Sequence, residues 1–156
     1  MAESVWDYPR PPRVEPTTRR IRVELGGETI VDTRSALRVL ETSHPPVYYV
    51  ALDDVVPGAL VDFAGRTTSC EWKGVASYYD VLAGGKRAAQ AAWTYHDPRP
   101  EFETIRDTVA FYPNALDACW VDDERVEPQP GGFYGGWITS EIVGPFKGLP
   151  GSSGFG

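Results

Sequence analysis

Apolar and polar residues alternate from Arg20 to Leu25 and again from Glu28 to Thr33, and the two runs flank Gly26-Gly27. Alternation with a period of two marks a strand with one buried face. A Gly-Gly pair accepts the positive φ of a two-residue turn, so residues 20–33 predict a β-hairpin. The same device recurs where Val75–Ala83 meets Lys86–Tyr95 across Gly84-Gly85. Lys86–Trp93 is rich in alanine, a good helix former, yet the Gly-Gly turn before it and Trp93-Thr94-Tyr95 at its end favour a strand. Each hairpin is followed by a His and Pro turn, His44-Pro45-Pro46 and His96-Asp97-Pro98, and then by an aromatic strand, Val47–Val50 and Thr108–Tyr112. This reads as a weak internal repeat. A further strand pair, Asp117–Val121 and Glu124–Glu127, turns at Asp122-Asp123, while Asp53–Asp62, with Pro57-Gly58, reads as a loop. A short helical turn is expected at Pro100–Arg106. The expected fold is mainly β with little helix, its small antiparallel sheets built from the Gly-Gly hairpins.

More than half of the 16 glycines follow Pro128, and prolines crowd both ends. The chain therefore divides into an extended Pro-rich arm at residues 1–19, a β domain at 20–127 and a Gly and aromatic arm at 128–156. Val5–Pro12 should run extended, with Trp6 and Tyr8 as its anchors. In the last arm, Phe133, Tyr134 and Trp137 between glycines suggest a loop packed on the domain. A length of 156 residues fits one core.

Charge removes several function classes. The net charge is -7, from 22 acidic and 15 basic residues, which repels phosphate backbones. The Arg10, Arg13, Arg19, Arg20 and Arg22 run has no interleaved stacking rings and reads as a solvated arm and strand edge, so no nucleic acid is expected. No apolar run approaches the ~20 residues that span a bilayer, so no membrane insertion is expected. Two cysteines, Cys70 and Cys119, are too few for a disulfide scaffold, and no signal segment is read at the start, which makes a reducing cytoplasm the expected compartment. Cys70, Cys119, His44 and His96 are scattered singly rather than as short-spaced pairs, so no metal is expected. No phosphate loop or other cofactor motif is present, and no cofactor is expected.

Candidate chemistry concentrates in Thr67–Tyr79, which holds a thiol, a carboxylate, an ammonium and three aromatic rings. Read as one regular strand, it places Cys70 and Trp72 on one face and Glu71 and Lys73 on the other. A bulge at Gly74 would re-aim Lys73 toward Cys70. A nucleophilic Cys70 needs a cation beside it, for which Lys73 and protonated His44 are the candidates, and Glu41 could orient the imidazole or move a proton. The plainer alternative makes Cys70 a small packed hydrophobe and His44 a turn residue. Trp72, Tyr78, Tyr48, Trp93 and Tyr95 fall on strands expected to lie close together, and alternate rings can wall a ligand pocket. Neighbours such as Tyr78-Tyr79 must divide between faces.

Glu41-Thr42-Ser43-His44, Tyr48-Tyr49, Thr68–Tyr79, Ala91-Ala92-Trp93-Thr94-Tyr95 and Val109–Pro113 resemble domain of unknown function family 427 over about residues 22–127. The Cys-x-Trp-Lys-Gly-x-Ala-x-Tyr-Tyr run is the specific part. The resemblance implies a β-tent-like architecture, in which two small antiparallel sheets lean together, with extra arms in longer members. It also implies that Cys70, Trp72, Lys73, Tyr78 and Glu41 form one site. β-tent folds elsewhere include zinc-binding modules and cysteine-using methionine sulfoxide reductases, but the paired Cys-x-x-Cys motifs of the zinc-bearing kind are missing here. The nucleotidyltransferase label sometimes attached to the family finds neither a Gly-Ser turn nor an Asp-x-Asp strand. The leading expectation is a small-molecule-binding domain, as an enzyme using Cys70 or as a binder without catalysis. The alternative is an interaction module that docks a partner, or a second copy of itself in a homodimer, through the Gly and aromatic arm.

Overall fold

Both Gly-Gly pairs form the turns their sequence demands. In the computed structural model, which describes residues 2–70, 72–129, 135–144 and 146, all four of these glycines have positive φ, between 55° and 80°. The strands in chain order are β1 (Glu3–Ser4), β2 (Arg13–Pro16), β3 (Ile21–Leu25), β4 (Glu28–Thr33), β5 (Leu37–Leu40), β6 (Val47–Ala51), β7 (Leu60–Cys70) and β8 (Gly74–Ala83). They continue with β9 (Lys86–Thr94), β10 (Thr108–Phe111), β11 (Ala118–Val121), β12 (Glu124–Arg125), β13 (Glu127–Pro128), β14 (Trp137–Ile138) and β15 (Ile142–Val143). The helical content of the described residues is short 3-10 turns, including the one expected after Arg99, at Pro100–Ile105. None is long and apolar enough to cross a membrane.

Two antiparallel sheets dominate. One has seven strands in the order β2-β5-β6-β10-β9-β8-β7, the other four in the order β12-β11-β3-β4. The arms add two-stranded ribbons, β1-β15 and β13-β14. The sheets lean together over one core, to which Ile21, Val23 and Val121 come from the smaller sheet and Val50, Val81 and Phe111 from the larger. At the apex the two Gly-Gly turns abut. A Cβ on Gly84 would lie 1.8 Å from the Gly26 carbonyl oxygen, and one on Gly26 would lie 2.3 Å from that of Ala83. The freed turn amides are satisfied by carboxylates: Gly26 N–H donates to Asp117 at 2.7 Å and Gly84 N–H to Glu28 at 3.0 Å. The halves of the repeat meet a second time where β6 and β10 pair, Val109 opposite Val50.

Three local expectations change. Thr67–Tyr79 is a hairpin rather than a single strand. The chain turns after Cys70 and returns at Gly74, and these two residues are cross-strand partners. Gly74 has φ +116°, a conformation that side-chain-bearing residues rarely adopt. The irregularity lies instead in β7, where register shifts between Phe63 and Thr67. The loop expected over Asp53–Asp62 is shorter, because β7 already pairs at Leu60, opposite Val81. The first arm contains a 3-10 turn, Val5–Asp7, because Val5 is fully buried with Tyr8, Leu40 and Ile142. The expected anchors Phe133 and Tyr134, and most of the last arm beyond Gly144, lie outside the described residues.

Candidate functional site

Alternation sorts the residues of the large sheet. Tyr79, Ala92 and Phe111 are cross-strand neighbours on β8, β9 and β10, and all three face the core between the sheets. One position back, Tyr78, Trp93 and Ala110 form a second cross-strand row, which faces the other way into a separate cluster with Tyr49, Tyr95 and Ala76. On this outer face lies a cavity of about 500 Å³. Small Ala76 stands among large rings there, which leaves space that larger residues would fill.

The rings hold one another in place. Trp93 Nε1 donates to Tyr49 Oη at 3.3 Å, with the two rings nearly perpendicular and 6.3 Å apart. Tyr112 lies against Trp93 at 4.5 Å, and Gly135 approaches that indole so closely that a Cβ would come within 2.2 Å of it. Tyr78 Oη and Thr68 Oγ1 share a hydrogen bond of 2.7 Å, while Arg66 stacks over the Tyr78 ring at 4.4 Å. Burial raises the Tyr49, Tyr95 and Tyr112 hydroxyls above the ordinary phenol value. They remain neutral phenols at physiological pH.

The 70–74 turn supplies the reactive groups. Because the chain reverses there, Lys73 folds back over the end of β7, and its Nζ donates to Cys70 Sγ at 3.4 Å. Arg99 N–H donates to the Lys73 carbonyl at 2.9 Å and fixes the turn against the 96–99 loop. Lys73 is 8% exposed, with the Phe102 ring 5.9 Å from its Nζ. Trp72 is half-buried and also lines the cavity.

Glu41 and His44 line the cavity from the β5–β6 loop, joined through the backbone by His44 N–H donating to the Glu41 carbonyl at 3.0 Å. Gln129 Oε1 accepts from Gly136 N–H at 3.1 Å, which leaves its Nε2 to donate to His44 Nδ1 at 3.2 Å. Of the two candidate cations, Lys73 is the one that reaches Cys70 Sγ, at 3.4 Å.

Of the residues singled out in the sequence, Cys70, Lys73, Glu41, His44, Trp72, Tyr78, Trp93 and Tyr95 line this one cavity. Tyr48 does not. It faces the inter-sheet core, its ring 5.2 Å from that of Trp137, and burial pushes its hydroxyl up to about 12. Its neighbour Tyr49 takes the cavity position, as alternation requires. Sequence reasoning also passed over Arg10, Thr68, Tyr112 and Gln129, all of which line the cavity. Thr68 was reachable, two residues from Cys70 on the same strand face, but Arg10 and Gln129 arrive from the arms with no local signal. Cys119 lies across the large sheet in the main core, 1% exposed, and burial raises its thiol well above the ordinary value.

No curated protein matches the chain. A family model does: that of a domain of unknown function, DUF427, over residues 13–122. The match runs from β2 to the end of β11 and includes the 70–74 turn and the paired aromatic rows. It covers most of the sequence, and the chain belongs to the DUF427 family.

Proposed function

We propose that the cavity is a small-molecule site in which Cys70 acts as a nucleophile with Lys73 as its charge partner. The observation that carries this reading is the 3.4 Å contact from Lys73 Nζ to Cys70 Sγ at an aromatic-walled cavity. An ammonium beside a sulfur stabilises negative charge on it, and the thiolate is the form of cysteine that attacks carbon. Trp72, Tyr78, Trp93 and Tyr95 offer flat apolar surface to the body of a ligand. Glu41, in the same cavity, is the group placed to take or return a proton. Cys119 supplies the internal contrast, a thiol sealed in the core.

The test is alkylation of the folded protein by iodoacetamide, read at each cysteine by peptide mass spectrometry. Cys70 should react faster than free cysteine at the same pH, and Lys73→Met should slow it by about tenfold. A Cys70 rate equal to that of free cysteine and unchanged in Lys73→Met would reject the nucleophile and leave a binding cavity in which the thiol only packs.

A further inference from the structure

The cations of this chain are distributed unevenly with respect to its carboxylates. Many of those away from the cavity are paired, though among the described residues Arg34, Arg66, Arg99 and Arg125 are not: Arg19 lies with Asp122 at 2.8 Å, Arg20 with Asp32 at 2.8 Å, Arg38 with Glu15 at 2.6 Å and Lys86 with Asp117 at 3.2 Å. At the cavity they are not. Among the described residues neither Lys73 nor Arg10 has a carboxylate within ion-pair distance, although the chain carries 22 acidic residues. Lys73 is the more telling of the two. It is more than nine-tenths buried, its hydrogen-bond partner is a sulfur, and the Phe102 ring lies 5.9 Å from its Nζ. Removing an ammonium from water is strongly unfavourable unless an anion replaces the lost hydration. Arg10, exposed at the rim, adds a planar donor suited to a carboxylate. Among the described residues the lining holds one carboxylate, Glu41, against these two cations. The described lining thus carries more positive than negative side chains in a protein of net charge -7, whose overall field repels anions.

We infer that the ligand of this cavity is a small organic acid with a planar, apolar body. Its anionic group is held by Lys73 and Arg10, and its body lies against Trp72, Tyr78, Trp93 and Tyr112. The inference rests on the small-molecule reading above and adds the charge and shape of the ligand. A volume of about 500 Å³ admits a bicyclic ring system with one anionic substituent. An ionised Cys70 would draw on the same ammonium, so the acid and the thiolate compete for Lys73, and bound acid should slow alkylation of Cys70.

The experiment is calorimetric titration with a matched pair of probes, 2-naphthoate and its neutral analogue 2-naphthamide. The acid should bind about tenfold tighter than the amide, as one charge-assisted contact implies, and its affinity alone should weaken as sodium chloride is raised. Lys73→Met should abolish the preference, bringing the acid's affinity down to that of the amide. Cys70→Ser, which removes the competing sulfur charge, should retain or enlarge it. Equal affinities for acid and amide in the unmodified protein would overturn the anion assignment and leave the cavity reading standing. Binding of neither probe would overturn both, and this arm does not depend on any variant folding.

Discussion

The two faces of the seven-stranded sheet are built by the same strands, yet one is sealed and the other is open. Tyr79, Ala92 and Phe111 press against the four-stranded sheet, whereas Tyr78, Trp93 and Tyr49 stand around a cavity. Composition does not separate them, since both faces are aromatic and apolar. What differs is the cover. The inner face packs against a second sheet, while among the described residues the outer face meets a hairpin turn, a 3-10 turn and segments of both arms, with a cavity of about 500 Å³ between them. Identical residue types therefore take on different work according to phase. Tyr48 packs and Tyr49 lines the cavity; Cys119 is sealed and Cys70 is reached by a lysine.

If the inner face is the closed one, truncation there should be the more damaging. Phe111→Ala should lower stability by about 3–5 kcal/mol in urea unfolding, because it empties a fully buried site. Trp72→Ala, at the half-buried cavity wall, should cost less than half as much although it removes a larger side chain. Equal losses would erase the distinction between the faces.

Phenol ionisation sharpens the same contrast. The Tyr48 hydroxyl is raised by burial from 10.0 to about 12. A raised value means that its contribution is complete below pH 10 and is lost as pH climbs to 12. Relative to Tyr48→Phe, the unmodified protein should lose about 2–3 kcal/mol over that window. No difference between the two alkaline stability curves would mean that Tyr48 is wetter than its place in the core requires.

At the edge of the cavity-bearing hairpin, Asp80 accepts from Gln90 N–H at 2.8 Å and from Arg87 Nε at 3.0 Å. The Gln90 amide, then Arg87, hold its carboxyl below the ordinary 3.8. Its contribution is therefore present above pH 3.8 and fades as pH falls through the depressed value. Asp80→Asn should cost about 1–2 kcal/mol at neutral pH, and the gap should close in acid. A gap that persists at low pH would assign the loss to packing. Smallest of the four, Thr68→Val removes a hydrogen bond to Tyr78 on the open face and should cost about 1 kcal/mol or less.

Where local chemistry dictates conformation, the fold was legible in the sequence. Both Gly-Gly hairpins, the Asp122-Asp123 turn and the helical turn at Pro100 follow from alternation and from residues whose φ is restricted or freed. The decisive turn was not legible in the same way. Glu71-Trp72-Lys73 contains no glycine, proline or asparagine, and its flanks are strand formers, so the segment read as continuous. From the sequence, Gly74 decides between a regular strand and a bulge that re-aims Lys73. A glycine closing a three-residue loop between two β runs is also a hairpin signal. The reversal brings Lys73 to Cys70 by a route that a bulge in a straight strand does not provide. Phase within Tyr48-Tyr49 was undecidable locally, because alternation says that they part but not which sheet stacks on which face. Long-range partners such as Arg10 and Gln129 left no trace in any window of sequence.

The central claim is that the outer face is the ligand face, and amide chemical-shift mapping with 2-naphthoate tests it most directly. Saturable shifts should cluster at Tyr49, Cys70, Lys73, Ala76, Trp93 and Tyr95, with Val23, Cys119 and Val121 unmoved. Absence of saturable shifts, or shifts centred on the four-stranded sheet, would contradict the account.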